Sequence, residues 1–179
     1  KYWAVQLQGL ASANRWDETG KKKLQASVKK LLDSKNTRVR AKAIEVWSSF
    51  YDANDEKLYS QNVDFISYNV NEAALKAIGK TDPKRAAKAG LEGLNAQYRS
   101  WAGYCTELVA LYGTAQDFET ALAVLQSKSM RLRLEFYINL ADNIKRGGAE
   151  GKKAADMLAD AANTDADKTI RYYAQKLLA

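Results

Sequence analysis

The side chains that could do chemistry in this sequence are arginines at corresponding places in a repeated pattern. Arg40, Arg133 and Arg171 each directly follow an apolar residue that opens a helical stretch. A guanidinium can hold a carboxylate through two parallel hydrogen bonds, so these arginines are candidates for contacts with a peptide or an acidic partner. Arg131 and Tyr172 are weaker candidates of the same kind. The alternative is that each arginine pairs with an acid in a neighbouring repeat.

The sequence contains no histidine and a single cysteine, Cys105. This composition excludes Ser-His-Asp and Cys-His nucleophilic catalysis and argues strongly against a zinc site within the chain. Acids also recur at similar places in successive helical stretches, and we expect them to pair with Lys and Arg: Glu45, Glu72, Glu107 and Glu135. We therefore predict no catalytic residue, no metal ligand and no cofactor site here, and an inert core thiol at Cys105.

These residues are placed by a repeat with an interval of 31 residues. It runs through four apolar anchors, Val39, Val70, Trp101 and Leu132, and two further anchors flank it at longer intervals, Val5 and Ile170. Four positions after each anchor, five of six residues are small: Gly9, Ala43, Ala74, Cys105, Phe136 and Ala174. A small residue lets a neighbouring helix approach closely, so the pattern predicts a stack of helical repeats.

The spacing of apolar residues predicts helices throughout the chain. Expected helices cover residues 2–13, 21–32, 37–51, 56–61, 67–79, 83–95, 98–112, 116–127, 129–145, 149–162 and 166–178. The run 63–66 is the one ambiguous segment. We predict an all-α fold, an α–α superhelix of about five helical hairpins plus a leading half-repeat, forming one domain over residues 1–179. We expect large aromatic side chains near the anchors, including Trp3, to pack in its core.

A polar turn followed by Val39-Arg40-Ala41-Lys42-Ala43-Ile44 resembles a HEAT repeat, and the run 169–174 keeps the same register. The resemblance implies a HEAT-like or armadillo-type solenoid. Such solenoids bind other proteins or peptides on the face lined by the second helix of each hairpin. A HEAT-like scaffold for a partner protein is therefore one interpretation, and a HEAT-like DNA glycosylase is a weaker one.

Two stretches carry a narrower resemblance. Tyr2-Trp3-Ala4-Val5 followed by Leu10, and the run from Ser67 to Pro83, resemble the C-terminal helical region of bacterial M1-family zinc aminopeptidases. The resemblance implies a non-catalytic domain that covers the active-site chamber, with zinc only in the parent's catalytic domain. The sequence also begins and ends within helical patterns, so we expect it to be a piece of a larger protein. The resemblance to the aminopeptidases implies that it is the C-terminal part.

The net charge of +7 is unevenly distributed. Between Lys21 and Lys42 there are nine Lys and Arg residues against one acid, Asp33. The stretch can be a solvated face, a surface for an acidic protein, or a surface for nucleic acid. We favour the first interpretation and rank nucleic acid last. No apolar run approaches the roughly 20 residues that a membrane span requires.

Overall fold

A computed structural model describes residues 2–179, except for the side chain of Arg99. Over these residues it contains eleven α-helices, one short 3₁₀ helix and no β-strand. The prediction of an all-α repeat fold is therefore confirmed. The chain divides into two compact units, residues 1–82 and 83–179, and each is described by itself.

The first unit contains five helices: α1 (Trp3–Ala11), α2 (Glu18–Leu31), α3 (Thr37–Phe50), α4 (Glu56–Val63) and α5 (Tyr68–Gly79). A 3₁₀ turn, Ala13–Arg15, follows α1. Helix α2 packs on α3 and α4 packs on α5, while α1, α3 and α5 pack side by side. The Tyr51 hydroxyl donates to the Lys21 carbonyl at 2.9 Å, so the end of α3 meets the start of α2. This is the arrangement of stacked helical hairpins.

The second unit contains six helices: α6 (Pro83–Gly93), α7 (Arg99–Tyr112), α8 (Ala115–Gln126), α9 (Met130–Arg146), α10 (Gly148–Thr164) and α11 (Lys168–Leu178). The second helices α7, α9 and α11 contact one another in succession, and so do the first helices α6, α8 and α10. One glycine, Gly147, connects α9 to α10 with φ of 74°, a left-handed conformation that costs other residues more. Pro83 opens α6, as its fixed φ favours.

Each unit has its own hydrophobic core, and the predicted anchors supply much of both. Val39, Val70 and Ile170 are fully buried and Leu132 nearly so, while Trp101 packs against the second core half-buried. The residues four positions later are also buried: Ala43, Ala74, Cys105, Phe136 and Ala174. The sequence period therefore marks the line along which the second helices meet.

The first helix departs from the prediction. Val5 is 68% exposed, and a side chain at Gly9 would meet nothing within 4 Å. Trp3 is also exposed rather than part of the core. The physical reason is that α1 packs mainly on α3, chiefly through Leu10, and its opposite side carries no further helix within the first unit.

The run 63–66 forms no strand. Val63 ends α4 and Ile66 lies exposed in the connection to α5. Among the described residues, no helix combines the length and the apolar character needed to cross a membrane.

Candidate functional site

A cleft in the second unit lies between its second helices α7 and α9. It has a volume of about 540 Å³, within the size range of small-ligand and side-chain pockets. Helix α7 supplies Ser100, Gly103, Tyr104 and Glu107, and helix α9 supplies Arg131, Glu135, Ile138 and Asn139. We call this the α7–α9 cleft. It presents an aromatic ring, an exposed isoleucine and charges of both signs.

The chemistry of the α7–α9 cleft depends on one ion pair and one glycine. Arg131 Nε donates to Glu135 Oε1 at 3.0 Å, and the arginine is largely in water, so the pair is solvent-screened. A Cβ atom on Gly103 would stand 3.0 Å from the other carboxylate oxygen of Glu135. The glycine therefore gives this carboxylate room beside the backbone of α7.

Polar contacts at one side of the cleft tie α9 to α7. Asn139 Nδ2 donates to Thr106 Oγ1 at 3.2 Å, and Asn143 Nδ2 donates to the Ala110 carbonyl at 2.8 Å. Asn143 and its bond are buried and shielded from water, while Asn139 is half-buried and its acceptor Thr106 is buried. Both bonds hold α9 against α7. The cleft is a preformed feature of the packing of α7 against α9.

The first unit contains a smaller cleft at the corresponding place, between α3 and α5. Its volume is about 240 Å³, and its lining residues are Leu7, Arg38, Ala41, Lys42, Glu45, Asn69 and Glu72. Five of these lie exactly two repeat intervals, 62 residues, before lining residues of the α7–α9 cleft: Arg38, Ala41, Lys42, Glu45 and Asn69 precede Ser100, Gly103, Tyr104, Glu107 and Arg131. The repeat therefore places a cleft at the same helix positions in both units.

The arrangement in these clefts is suited to binding. In the part of the chain that the structure describes, no group of three or more Cys, Asp or Glu side chains could hold a metal ion. Tyr104, Glu107 and Glu135 offer a ring face and hydrogen-bond acceptors, and Arg131 offers donors at the rim. This set can hold a polar chain segment through complementary charges.

The first predicted arginine, Arg40, contacts its own unit. Its Nε donates to Asn62 Oδ1 at 2.8 Å, and its guanidinium lies 4.4 Å from the centre of the Phe65 ring. Asn62 is fully buried, so Arg40 satisfies an amide that water cannot reach. Arg40 thereby ties α3 to the connection between α4 and α5.

Arg133 and Arg171 converge on the connection between α10 and α11. Arg133 Nη2 lies 3.7 Å from Asp165 Oδ1, with both side chains mostly buried. Arg171 Nη1 donates to the Asp165 carbonyl at 2.5 Å and to the Ala166 carbonyl at 3.2 Å. Arg133 thus ties α9 to the α10–α11 connection, as Arg40 ties α3 to the end of α4 and the α4–α5 connection. Their partners within each unit favour a structural role for these arginines.

The two weaker candidates are exposed. Arg131 lies at the rim of the α7–α9 cleft, as described above. Tyr172 is half exposed on α11, packs edge-on against Tyr173 and lies 4.7 Å below the ammonium group of Lys176. Arg131 alone among the five predicted candidates lines this cleft.

Cys105 is fully buried on α7, and burial raises the pKa of its thiol to about 12. The thiolate, which is the reactive form, is therefore strongly disfavoured at neutral pH. The prediction of a core thiol agrees with this environment.

Gly103, Tyr104 and Ile138 are cleft residues that the sequence patterns did not single out. A signal for two of them was present, since Gly103 and Tyr104 lie 62 residues after Ala41 and Lys42.

Comparison of the sequence with protein-family models and with curated proteins gives no match to either.

Proposed function

We propose that this chain is a non-catalytic helical-repeat domain that binds an extended peptide segment along its second helices. The observation that supports this proposal is the α7–α9 cleft, which has a counterpart at equivalent repeat positions in the first unit. Each cleft lies between two neighbouring second helices of its own unit, and helical-repeat proteins use such surfaces for binding.

The specific form of the proposal is a HEAT-like domain that covers the active-site chamber of an M1-like zinc aminopeptidase. It is supported by the resemblance of residues 2–5 and 67–83 to that family. In this role the clefts would guide peptides toward a zinc ion held by another domain of the parent protein. This chain's own residues would orient the peptide and would take no part in bond cleavage.

The binding proposal is tested with a single reporter on the cleft. Cys105 is the only cysteine and is buried, so Ile138→Cys can be labelled selectively with an environment-sensitive dye. We expect a mixture of peptides of varied sequence, each of about ten residues, to change the dye's emission in a saturable way. The control is Thr120→Cys. Thr120 is exposed on α8, the first helix of its hairpin, and lines neither cleft. Equal responses from both labels, or none from either, would contradict a peptide site at the cleft.

The aminopeptidase form has a separate test in the parent reading frame. We expect HExxH, followed by a second glutamate, to be encoded upstream of residue 1. A parent without that motif would overturn the peptidase role. Saturable peptide binding with no zinc motif upstream would instead identify a HEAT-like scaffold for another protein.

A further inference from the structure

A second surface of the first unit combines exposed aromatic side chains with cations. Tyr2, just before α1, and Val5 on α1 are mostly exposed, and Trp3 is half exposed. Trp3 forms one wall of a cleft of about 380 Å³ whose other lining residues are Lys35, Asn36, Thr37 and Arg38. We call this the Trp3 cleft. It lies at the connection between α2 and α3. Arg38 also lines the α3–α5 cleft, whereas the other four residues line neither of the clefts described above.

The cations at the Trp3 cleft differ from others in the same basic stretch. Of the nine Lys and Arg residues between Lys21 and Lys42, four make side-chain contacts within the first unit: Lys21, Lys29, Arg40 and Lys42. Lys35 and Arg38 are exposed, and neither forms an ion pair with a carboxylate of a described residue. Their charges are therefore available to an external partner.

The backbone amides at the start of α3 contribute little to this surface. Asn36 Oδ1 accepts hydrogen bonds from the amides of Arg38 and Val39 at 3.1 and 3.2 Å. Because this side chain already caps the helix, recognition at the Trp3 cleft would come from the Lys35 and Arg38 side chains and the Trp3 ring.

We propose that the Trp3 cleft docks an acidic segment of another protein, in which carboxylates flank an apolar or aromatic residue. Arg38 and Lys35 pair with the carboxylates, and the apolar residue packs on Trp3 and its exposed neighbours on α1. This proposal is independent of peptide binding at the α7–α9 cleft, which is in the other unit.

A protein fits this surface better than a nucleic acid does. A nucleic acid needs a track of cations that follows many phosphates. Here Lys21 and Lys42 are already paired with Glu18 and Glu45, and Asp33 lies exposed between Lys30 and Lys35 in the sequence. Two free cations beside one ring instead match a short acidic sequence.

The test measures fluorescence anisotropy of a fluorescein-labelled peptide in which glutamates alternate with leucine and tryptophan, at ~50 mM salt. The same peptide with glutamine in place of every glutamate is the ligand control. We expect saturable binding of the acidic peptide alone. Lys35→Ala/Arg38→Ala should weaken it at least about tenfold, and Trp3→Ala should weaken it several-fold.

The matched protein control is Lys22→Ala/Lys23→Ala, which removes the same charge from the exposed start of α2. We expect this variant to bind the acidic peptide within about twofold of the wild type. Equal weakening by both double variants would show diffuse attraction and overturn the proposal. Absence of acidic-peptide binding to the wild type would overturn it too, as would tighter, Trp3-dependent binding of an oligothymidylate. Circular dichroism of each variant separates loss of binding from loss of fold.

Discussion

The α3–α5 cleft and the α7–α9 cleft occupy the same repeat positions, yet the second has more than twice the volume of the first. In the first unit, Lys42 pairs with Glu45 at 2.6 Å across the helix surface. The corresponding residues of the second unit are Tyr104 and Glu107, and Gly103 replaces Ala41. The repeat thus fixes where a cleft forms, while two or three side chains decide its volume and charge.

The two units also differ in the contacts that tie their neighbouring second helices together, α3 to α5 and α7 to α9. Asn143 of α9 donates from a buried position to the carbonyl of Ala110 on α7. In the first unit, Lys80, just after α5, donates to the hydroxyls of Ser48 and Ser49 at 3.0 and 2.9 Å from a partly exposed position. Ser48 lies 62 residues before Ala110. A buried amide therefore ties α9 to α7, whereas in the first unit an ammonium group ties the end of α5 to α3.

Replacing these two tethers should give the largest difference between the units. Asn143→Ala leaves the Ala110 carbonyl without its buried donor, so we expect a loss of about 2 kcal/mol in the free energy of unfolding. Lys80→Ala removes bonds to two hydroxyls, but Ser48 still donates to the Glu45 carbonyl and Ser49 is exposed to water. We therefore expect a loss below about 1 kcal/mol. Urea unfolding followed by circular dichroism measures both.

Asn139→Ala is the control on the same helix, because Asn139 is only half-buried and bonds to a hydroxyl rather than to a backbone carbonyl. We expect its effect to fall between the other two. Equal losses for Asn143→Ala and Lys80→Ala would show that burial does not distinguish the two tethers.

Exchanging Gly103 and Ala41, which occupy the same repeat position, should make the volume of each cleft more like that of the other. The effect on stability should be smaller than that of Asn143→Ala. Gly103→Ala puts a methyl group 3.0 Å from a carboxylate oxygen of Glu135, a flexible side chain that can turn away. Because alanine favours the helix by roughly 0.5–1 kcal/mol, stability should be kept or slightly raised. Peptide affinity, measured with the dye on Ile138→Cys, should become roughly threefold weaker because the added methyl group narrows the α7–α9 cleft.

The reverse exchange, Ala41→Gly, serves as the partner experiment. It should cost roughly 0.5–1 kcal/mol of stability in the first unit and leave the response at the α7–α9 cleft unchanged. Unaltered peptide response in Gly103→Ala would mean that the space beside Glu135 has no part in binding.

Sequence patterns predicted the helices closely because helix formation depends on local information. The apolar period, Pro83 and the Gly147–Gly148 pair placed most helix ends within a few residues of those observed. The exposure of Val5, Gly9 and Trp3 was not predicted, because it depends on which helix lies next to α1. The α7–α9 cleft was also missed. Its shape depends on the pairing of Gly103 with Glu135 across two helices, which a single helical pattern does not contain.

Acid should weaken the second unit through two carboxylates, and this is the smallest effect we expect. A backbone hydrogen bond from Thr169 lowers the pKa of Asp167 at the start of α11, and the hydrogen bond from Lys153 lowers the pKa of Glu119. Because both folded-state pKa values lie below the unfolded ones, the stabilisation is complete above about pH 5 and disappears as the pH falls through the folded values.

Amide hydrogen exchange between neutral pH and about pH 3, corrected for intrinsic rates, can follow this loss helix by helix. We expect α10 and α11 to lose protection in wild type as these two carboxylates become protonated. In Glu119→Gln/Asp167→Asn the same helices should be less protected at neutral pH and should lose less on acidification, because neither substituted side chain titrates. The helices α3 and α5 of the first unit serve as internal reference, since neither carboxylate lies there. If the double variant kept the full wild-type loss in α10 and α11, other carboxylates would carry the acid sensitivity of the second unit.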